Sequence, residues 1–298
     1  MKFNGFIITY NRPKELLETI QKVFAQSYPP QSLWIIDNSS DDLTEKEMNS
    51  FLTEKIKYHR IGYNAGPAGA AVKGLELCVA DGADWVYWGD DDDPPPFTDT
   101  FEKLFSLIDE IDDVSKTAQV GLVGTLFNNM KGEFRRFTDS ELKGKKILEV
   151  DSIAGNQSKI VNKMVIQSGA MPCENLFFGF EELDFDLKAK ELGFKSYING
   201  TLNFELRKKY KKDNFKAGII RKRKIENLWR QYYSTRNLLF ILQRNRFYSA
   251  LNYQILKMII RAIFSFKFGL NYGMKTTKFT FYGILDFIRG VKGQLLQK

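Results

Sequence analysis

Residues 85–96 read WVYWGDDDDPPP. Trp85–Trp88 has the length and composition of a buried strand, apolar and rich in aromatics. Four aspartates, Asp90–Asp93, come next, and Pro94, Pro95 and Pro96 stiffen the exit. Adjacent carboxylates repel one another, so such a run is costly unless a cation compensates it. Hard oxygen ligands suit Mg²⁺ or Mn²⁺. A solvated acidic surface loop is the other reading of the same residues.

Upstream the pattern alternates. Phe3–Thr9 reads as a strand, and Pro13 opens a helix whose stripe is Leu16, Leu17, Ile20, Val23 and Phe24. Leu33–Ile36 is a second strand, Leu43–Phe51 a helix, Lys57–Ile61 a third strand and Gly66–Val79 a helix of small residues. Downstream, Phe101, Leu104, Phe105 and Ile108 form a helical stripe, and Val120–Leu126 is another strand. Strands alternating with helices predict an α/β fold with a mostly parallel central sheet flanked by helices. Ligands of such sheets bind beyond the carboxyl ends of the strands. Three polar clusters fall there: Thr9-Tyr10-Asn11-Arg12, Asp37-Asn38-Ser39-Ser40 and Asp90–Asp93. Each alone reads equally as ordinary turn residues; together they point to a site.

The chain has 298 residues, 43% of them hydrophobic, enough for a sizeable core without staples. Two cysteines, Cys78 and Cys173, exclude a disulfide scaffold. One histidine, His59, excludes multi-His metal sites, so chemistry must lean on carboxylates; His59 itself reads as structural. The N-terminus lacks the pattern of a signal peptide. No uncharged apolar run reaches the ~18 residues of a spanning helix. The expectation is a reducing, cytoplasmic setting. The net charge of +8 is split: residues 1–200 carry 22 Lys+Arg and 32 Asp+Glu, residues 201–298 carry 22 and 4. The simplest division is a domain over 1–205 and a basic, aromatic-rich helical region over 206–298.

Five stretches together resemble the inverting nucleotide-sugar glycosyltransferases of family 2, with their Rossmann-like GT-A fold: ITYNRP at 8–13, IDNSSDD at 36–42, YNAGPAGA at 63–70, DDDDPP at 90–95 and FFGFEELDFDLKAKELGF at 177–194. Within that family the chain looks most like enzymes that transfer galactofuranose or rhamnose in bacterial surface polysaccharide assembly. Tyr232–Asn237 resembles a motif that follows the catalytic domain in those branches.

The resemblance implies roles. Thr9, Tyr10, Asn11, Arg12, Asp37 and Asn38 would hold the base and ribose of the nucleotide sugar. Asn64 and the Gly66–Gly69 turn would approach the diphosphate, where glycines let the backbone come close and a helix start favours anions; tight helix–sheet packing is the other reading of 65–71. Asp92 would ligate the metal, with Asp90 and Asp91 reaching ribose, metal or its water. An inverting transfer needs a general base, which the resemblance places at Glu181 or Glu182, with Glu181 ahead. Phe177, Phe178 and Phe180 would supply an apolar surround. Asp184 and Lys188, at i,i+4 spacing, make a structural pair. Relatives often carry a histidine metal ligand about a dozen residues beyond the position of Gly193; here the segment reads TLNFELRKKY, leaving Glu205, Asn203, or the diphosphate and water to complete the metal.

Residues 207–224 carry ten Lys/Arg and one acid, Asp213, and aromatic and apolar helical stretches come after them. Without a nucleic-acid module this suits an anionic membrane surface, or docking on a second copy of the chain. The expectation is therefore a metal-dependent inverting glycosyltransferase, peripheral on the inner face of the cell membrane. It would move a sugar from UDP-galactofuranose, or alternatively dTDP-rhamnose, to a polyprenyl-linked or cell-surface glycan. A binding protein without chemistry and a nucleotidyltransferase are the competing classes.

Overall fold

The computed structural model describes residues 1–212 and 222–295, so residues 213–221 of the basic run, Asp213 included, lie outside the described residues. The strands are β1 (Phe3–Thr9), β2 (Leu33–Asp37), β3 (Ile56–Arg60), β4 (Trp85–Asp90), β5 (Thr117–Gly121), β6 (Gly124–Asn128), β7 (Glu133–Arg136), β8 (Leu148–Val150), β9 (Ser152–Ile153), β10 (Lys159–Asn162) and β11 (Lys195–Ile198). The helices are α1 (Pro13–Phe24), α2 (Leu43–Met48), α3 (Gly66–Ala80), α4 (Thr100–Asp109), α5 (Asp139–Leu142), α6 (Lys163–Gln167), α7 (Glu181–Glu191), α8 (Gly200–Lys209), α9 (Arg230–Arg244), α10 (Tyr248–Phe264) and α11 (Leu270–Ile288).

The chain divides into two compact units. The first holds Met1–Leu126, Arg136–Glu174 and the described residues from Glu182 to Lys212. Its eight-stranded sheet runs β3-β2-β1-β4-β10-β5-β11-β8. β1, β2, β3 and β4 pair parallel, as do β5 and β11, while β10 enters antiparallel between β4 and β5. Every residue of β1 is buried, as a strand covered on both faces requires. Phe3 and Ile7 face α1 and α4, whereas Phe6 and Ile8 face α3 and α7. The small residues of α3 have a packing function: a Cβ at Gly74 would lie 2.4 Å from the Phe6 ring. The expected strand over 120–126 is two strands, β5 and β6, parted at Leu122-Val123. The glycines around the break admit other chains, since a Cβ at Gly121 would meet Ile153 at 2.7 Å and one at Gly124 would meet Val150 at 2.6 Å.

The second unit gathers α9, α10 and α11 with Phe127–Arg135, the tip of the β6–β7 hairpin, and Asn175–Glu181. Its core includes Tyr232, Tyr233, Leu238, Leu239, Leu242, Met258 and Phe287. Gln254 Nε2 holds the hairpin tip through the carbonyls of Lys131 (2.6 Å) and Gly132 (3.0 Å). Among the described residues no helix is long and apolar enough to cross a membrane.

Candidate active site

Parallel register brings the expected clusters to one edge. Thr9 lies opposite Asp37 across β1 and β2, and Ile8 lies opposite Asp90 across β1 and β4. Asp90 is the last residue of β4, not part of the turn, so the strand itself fixes its position. Asp91–Asp93 form the turn beyond it.

The three aspartates after the strand have different surroundings. Asp91 is buried, and its carboxylate accepts from Thr9 Oγ1 (2.8 Å), the Tyr10 amide (3.4 Å) and Arg12 Nη1 (3.3 Å). Its carbonyl accepts from Thr19 Oγ1 at 2.6 Å, so Asp91 ties the acidic turn to the middle of α1. Asp92 is exposed and pairs with Arg12 at 2.6 Å. Burial and the neighbouring Asp92 push Asp93 up to about 6, against the pull of a hydrogen bond from Asn156.

Asp90 is the most perturbed of the run. Burial first, then Glu182 and the other three aspartates, push its pKa up to about 8. Glu182 lies in the first turn of α7, and its Oε1 accepts from the Gly155 amide at 3.1 Å. Gly155 fits there for want of a side chain: a Cβ would stand 3.1 Å from Trp88 Nε1 and 3.4 Å from Glu182 Oε1. One turn along the same face of α7, Asp186 is fully buried. It accepts from Lys159 Nζ (3.0 Å), Gln119 Nε2 (2.7 Å) and the Ile153 amide (3.0 Å), while Lys159 sits 4.5 Å from the Trp88 ring centroid. This buried charge network fixes α7 on the sheet and, with it, the direction of Glu182.

The second cluster is equally occupied with itself. Asp37 Oδ1 accepts from the Ser39 amide at 2.7 Å and Oδ2 from the Tyr58 hydroxyl. Asn38 donates to the Gly66 carbonyl (3.1 Å) and accepts from the Ala65 amide (3.2 Å), and Asn64 accepts from the Gly66 amide (2.9 Å). Gly66 has φ +70°, a conformation that favours glycine. A Cβ at Gly69 would come within 2.8 Å of the Ala65 Cβ, so this glycine serves packing at the start of α3. Asn11 also holds a positive φ, +54°, with its amide donating to Ser39 Oγ at 2.9 Å. Tyr10, Asn11 and Arg12 are exposed at this edge.

The structure thus groups Thr9, Tyr10, Asn11, Arg12, Asp37, Asn38, Asp90, Asp91, Asp92 and Glu182 in the first unit, with Asn64, Gly66 and Gly69 joined to them through Asn38. Glu181, 6% exposed, ends a segment of the second unit. There Phe177 packs against Tyr233 (ring centroids 5.4 Å apart) and Phe178 against Trp229 (4.8 Å), both tilted, while Phe180 stacks on Phe134 (6.2 Å). Asp184 pairs with Lys188 at 2.7 Å. Sequence reading missed Gly155, Asn156, Tyr58 and the Lys159–Asp186 pair. The dipeptide Gly155-Asn156 carries a turn signal but nothing that directs it to an acidic cluster 60 residues away.

Ionisation of Asp90 and Asp93 is disfavoured by burial and by neighbouring carboxylates, and a divalent cation would relieve that cost, so the donor chemistry fits such an ion. Among the described residues no three His, Cys, Asp or Glu side chains converge as a complete cage. Diphosphate and water would have to supply the rest.

Comparison with known proteins follows the same lines. The family model described as glycosyl transferase family 2 matches residues 6–164. Galactofuranosyltransferase GlfT1 of Mycobacterium tuberculosis is 32% identical over 87 residues, 29% of this chain and 29% of that protein. GlfT1 of Mycolicibacterium smegmatis is 29% identical over 100 residues, 34% and 33% of the two chains. The match therefore spans about a third of these relatives. Among solved structures, S. aureus TarS 1–349 in complex with UDP-GlcNAc aligns with a TM-score of 0.58 at 15% identity, covering 98% of this chain and 82% of that one. Mannosyltransferase PcManGT from Pyrobaculum calidifontis, in complex with GDP-Man and Mn²⁺, aligns with a TM-score of 0.55 at 11% identity, covering 96% and 87%. At such identities the likeness is one of fold.

Proposed function

The chain belongs to glycosyl transferase family 2, and on that premise we propose that it transfers a sugar, with inversion, from a nucleotide-sugar donor to a hydroxyl of a lipid-linked or cell-surface glycan. The observation that carries the reading is the apposition of Glu182 and Asp90 beside an acidic turn at the carboxyl edge of a parallel sheet. The GlfT1 similarity favours UDP-galactofuranose as donor, with dTDP-rhamnose the alternative.

Tyr10, Asn11 and Arg12 stand at the surface where a nucleoside is met. Thr9, Asp37, Asn38 and Asp91 act by holding the turns that present them. The Asn64–Gly69 turn offers backbone amides to a diphosphate. Asp92 and Asp90 would hold Mn²⁺ or Mg²⁺, and such an ion, when bound, supplies the charge that stabilises a departing diphosphate. Arg12, paired with Asp91 and Asp92, brings a second positive charge to the same turn. Glu182 removes the proton of the acceptor hydroxyl as it attacks the anomeric carbon. Its place on the face of α7 fixed by Asp186 ranks it ahead of Glu181. The basic second unit, rich in exposed aromatic and aliphatic residues, supports peripheral association with an anionic membrane and, as a second use, self-association.

The test is a panel of nucleotide sugars assayed for release of nucleoside diphosphate, with mass spectrometry of the product, on the natural chain, Asp92→Ala, Glu182→Gln and Glu181→Gln. Loss of transfer in the first two supports the roles given. Full activity in Glu182→Gln with loss in Glu181→Gln moves the base by one residue. A product with new diphosphate bonds replaces the reading with nucleotidyl transfer.

A further inference from the structure

The second unit contains a cleft of about 710 Å³, none of whose lining residues has a role in the proposed transfer. Five cations line it: Lys222, Arg223, Lys224, Arg230 and Arg261. Among the described residues none of them is ion-paired with a carboxylate, although Glu226 lies within the same stretch of chain. This contrasts with Lys257 of the same unit, which pairs with Glu133. Five cations around one concavity, with no carboxylate partner among the described residues, repel each other. Partial burial, then Arg230 and Arg261, hold the Arg223 guanidinium below its ordinary pKa, with Tyr272 acting against them. Arg223 is also oriented from two sides, by its amide to the Tyr272 hydroxyl (3.2 Å) and its guanidinium to Ser234 Oγ (3.5 Å).

Two further features point to a ligand. Thr276, 9% exposed, lines the cleft with a buried hydroxyl that has no hydrogen-bond partner among the described residues. The wall also carries apolar side chains, Leu228, Phe264 and Phe268, beside the polar Asn227, Gln231 and Ser265. Phe264 is 59% exposed and its neighbour Ile263 is 65% exposed, so the apolar wall continues onto an open helix face. A small inorganic anion uses only the cations; a phosphate carrying an acyl or prenyl chain uses the whole surface.

We propose that this cleft is a phosphoanion site that takes the phosphate or diphosphate headgroup of an anionic lipid, with Arg223 and Arg261 as its principal ligands. Planar guanidinium groups suit the oxygens of a phosphate, and cations at a membrane surface contribute about 1 kcal/mol each, or about fivefold in affinity. Only the identity of that lipid as an acceptor carrier rests on the glycosyltransferase reading; the site is tested without donor, so the two can fail separately.

The probes are phosphatidylcholine vesicles with and without phosphatidate, and inorganic pyrophosphate in solution. Both are measured with EDTA present, so that the acidic turn offers pyrophosphate no cation. The natural chain is compared with Arg223→Gln/Arg261→Gln and with a charge-matched control, Lys275→Gln/Lys278→Gln, whose residues do not line the cleft. The cleft variant is expected to lose about thirtyfold in affinity for phosphatidate vesicles. The control should lose less than threefold. Pyrophosphate binding that disappears in the cleft variant shows that the bare phosphate suffices. Vesicle binding without pyrophosphate binding shows that the lipid is required; both support the site. Equal losses in the two double variants, or none in either, overturn it, because the basic surface then acts without a specific cleft. If the cleft variant melts early, Arg223→Gln and Arg261→Gln singly carry the same reading, about fivefold each against less than twofold for Lys278→Gln.

Discussion

The two units treat charge in opposite ways. In the first, most buried charge is matched: Lys159 and Asp186, both fully buried, neutralise each other, and Asp91 is held by Thr9, Tyr10 and Arg12. Its exception is the edge where burial, Glu182 and the neighbouring aspartates all act to raise the pKa of Asp90. In the second, Arg236 is fully buried yet satisfied, donating to the Tyr232 hydroxyl and to the Gly293 and Leu176 carbonyls. The exception there is the cleft around Arg223. Matched charge shapes the fold; unmatched charge of either sign marks where a counter-ion or ligand belongs.

Breaking the acidic exception should have the largest effect. Glu182→Gln and Asp92→Ala are each expected to lower kcat by about 10²–10⁴-fold in a sugar-transfer assay, the range for removal of a positioned base or an electrostatic stabiliser. A loss below tenfold in either would remove that residue from the chemistry. Next comes the matched pair. Lys159→Ala leaves the buried Asp186 carboxyl without its cation, and should cost about 3–5 kcal/mol in denaturant unfolding. Lys159→Met/Asp186→Leu, which removes both charges, should recover much of that loss.

The neutral counterpart in the second unit is weaker. Asn237 Nδ2 donates to the carbonyls of Leu176, Phe178 and Gly179, and so holds the segment in which Phe177 and Phe180 adopt positive φ values of +64° and +70°. Asn237→Ala should cost about 1–3 kcal/mol, read as a lowered denaturation midpoint. A change under 0.5 kcal/mol would mean that packing alone shapes the segment.

The smallest effect has the opposite sign. A carboxyl raised to about 8 in the fold disfavours the folded state wherever the unfolded chain is ionised and the folded one is not, or is ionised at a cost. The penalty is absent below the ordinary carboxylate range, grows as pH rises and is complete above about 8. Asp90→Asn should therefore melt like the natural metal-free chain at pH 3.5–4 (about the unfolded pKa) and higher by at least about 2 °C at pH 8. Equal melting points at both values would show that Asp90 carries no such penalty.

Much of this was legible in the sequence, for local reasons. The seven buried residues of β1, the Pro13 helix start and the Gly193 turn (φ +82°) follow from period, propensity and backbone sterics, which neighbours in the chain carry. The convergence of Thr9, Asp37 and the aspartate run was readable too, because parallel strands place their carboxyl ends on one edge. The split of charge between residues 1–200 and 201–298 needed only counting.

What tertiary structure decided is which of those groups are already engaged. Nothing within the run of four aspartates distinguishes Asp91, tied to Thr9, from Asp90, opposed to Glu182. Nothing in FFGFEELDFD shows that Asp186 meets Lys159 and thereby aims Glu182, or that the phenylalanines pack with Tyr233, Trp229 and Phe134. Nor does the basic stretch reveal that Arg223, Arg230 and Arg261 line one concavity. Hydrogen bonds and desolvation act over a few ångströms between residues tens of positions apart, so their outcome is set only when the chain has closed on itself.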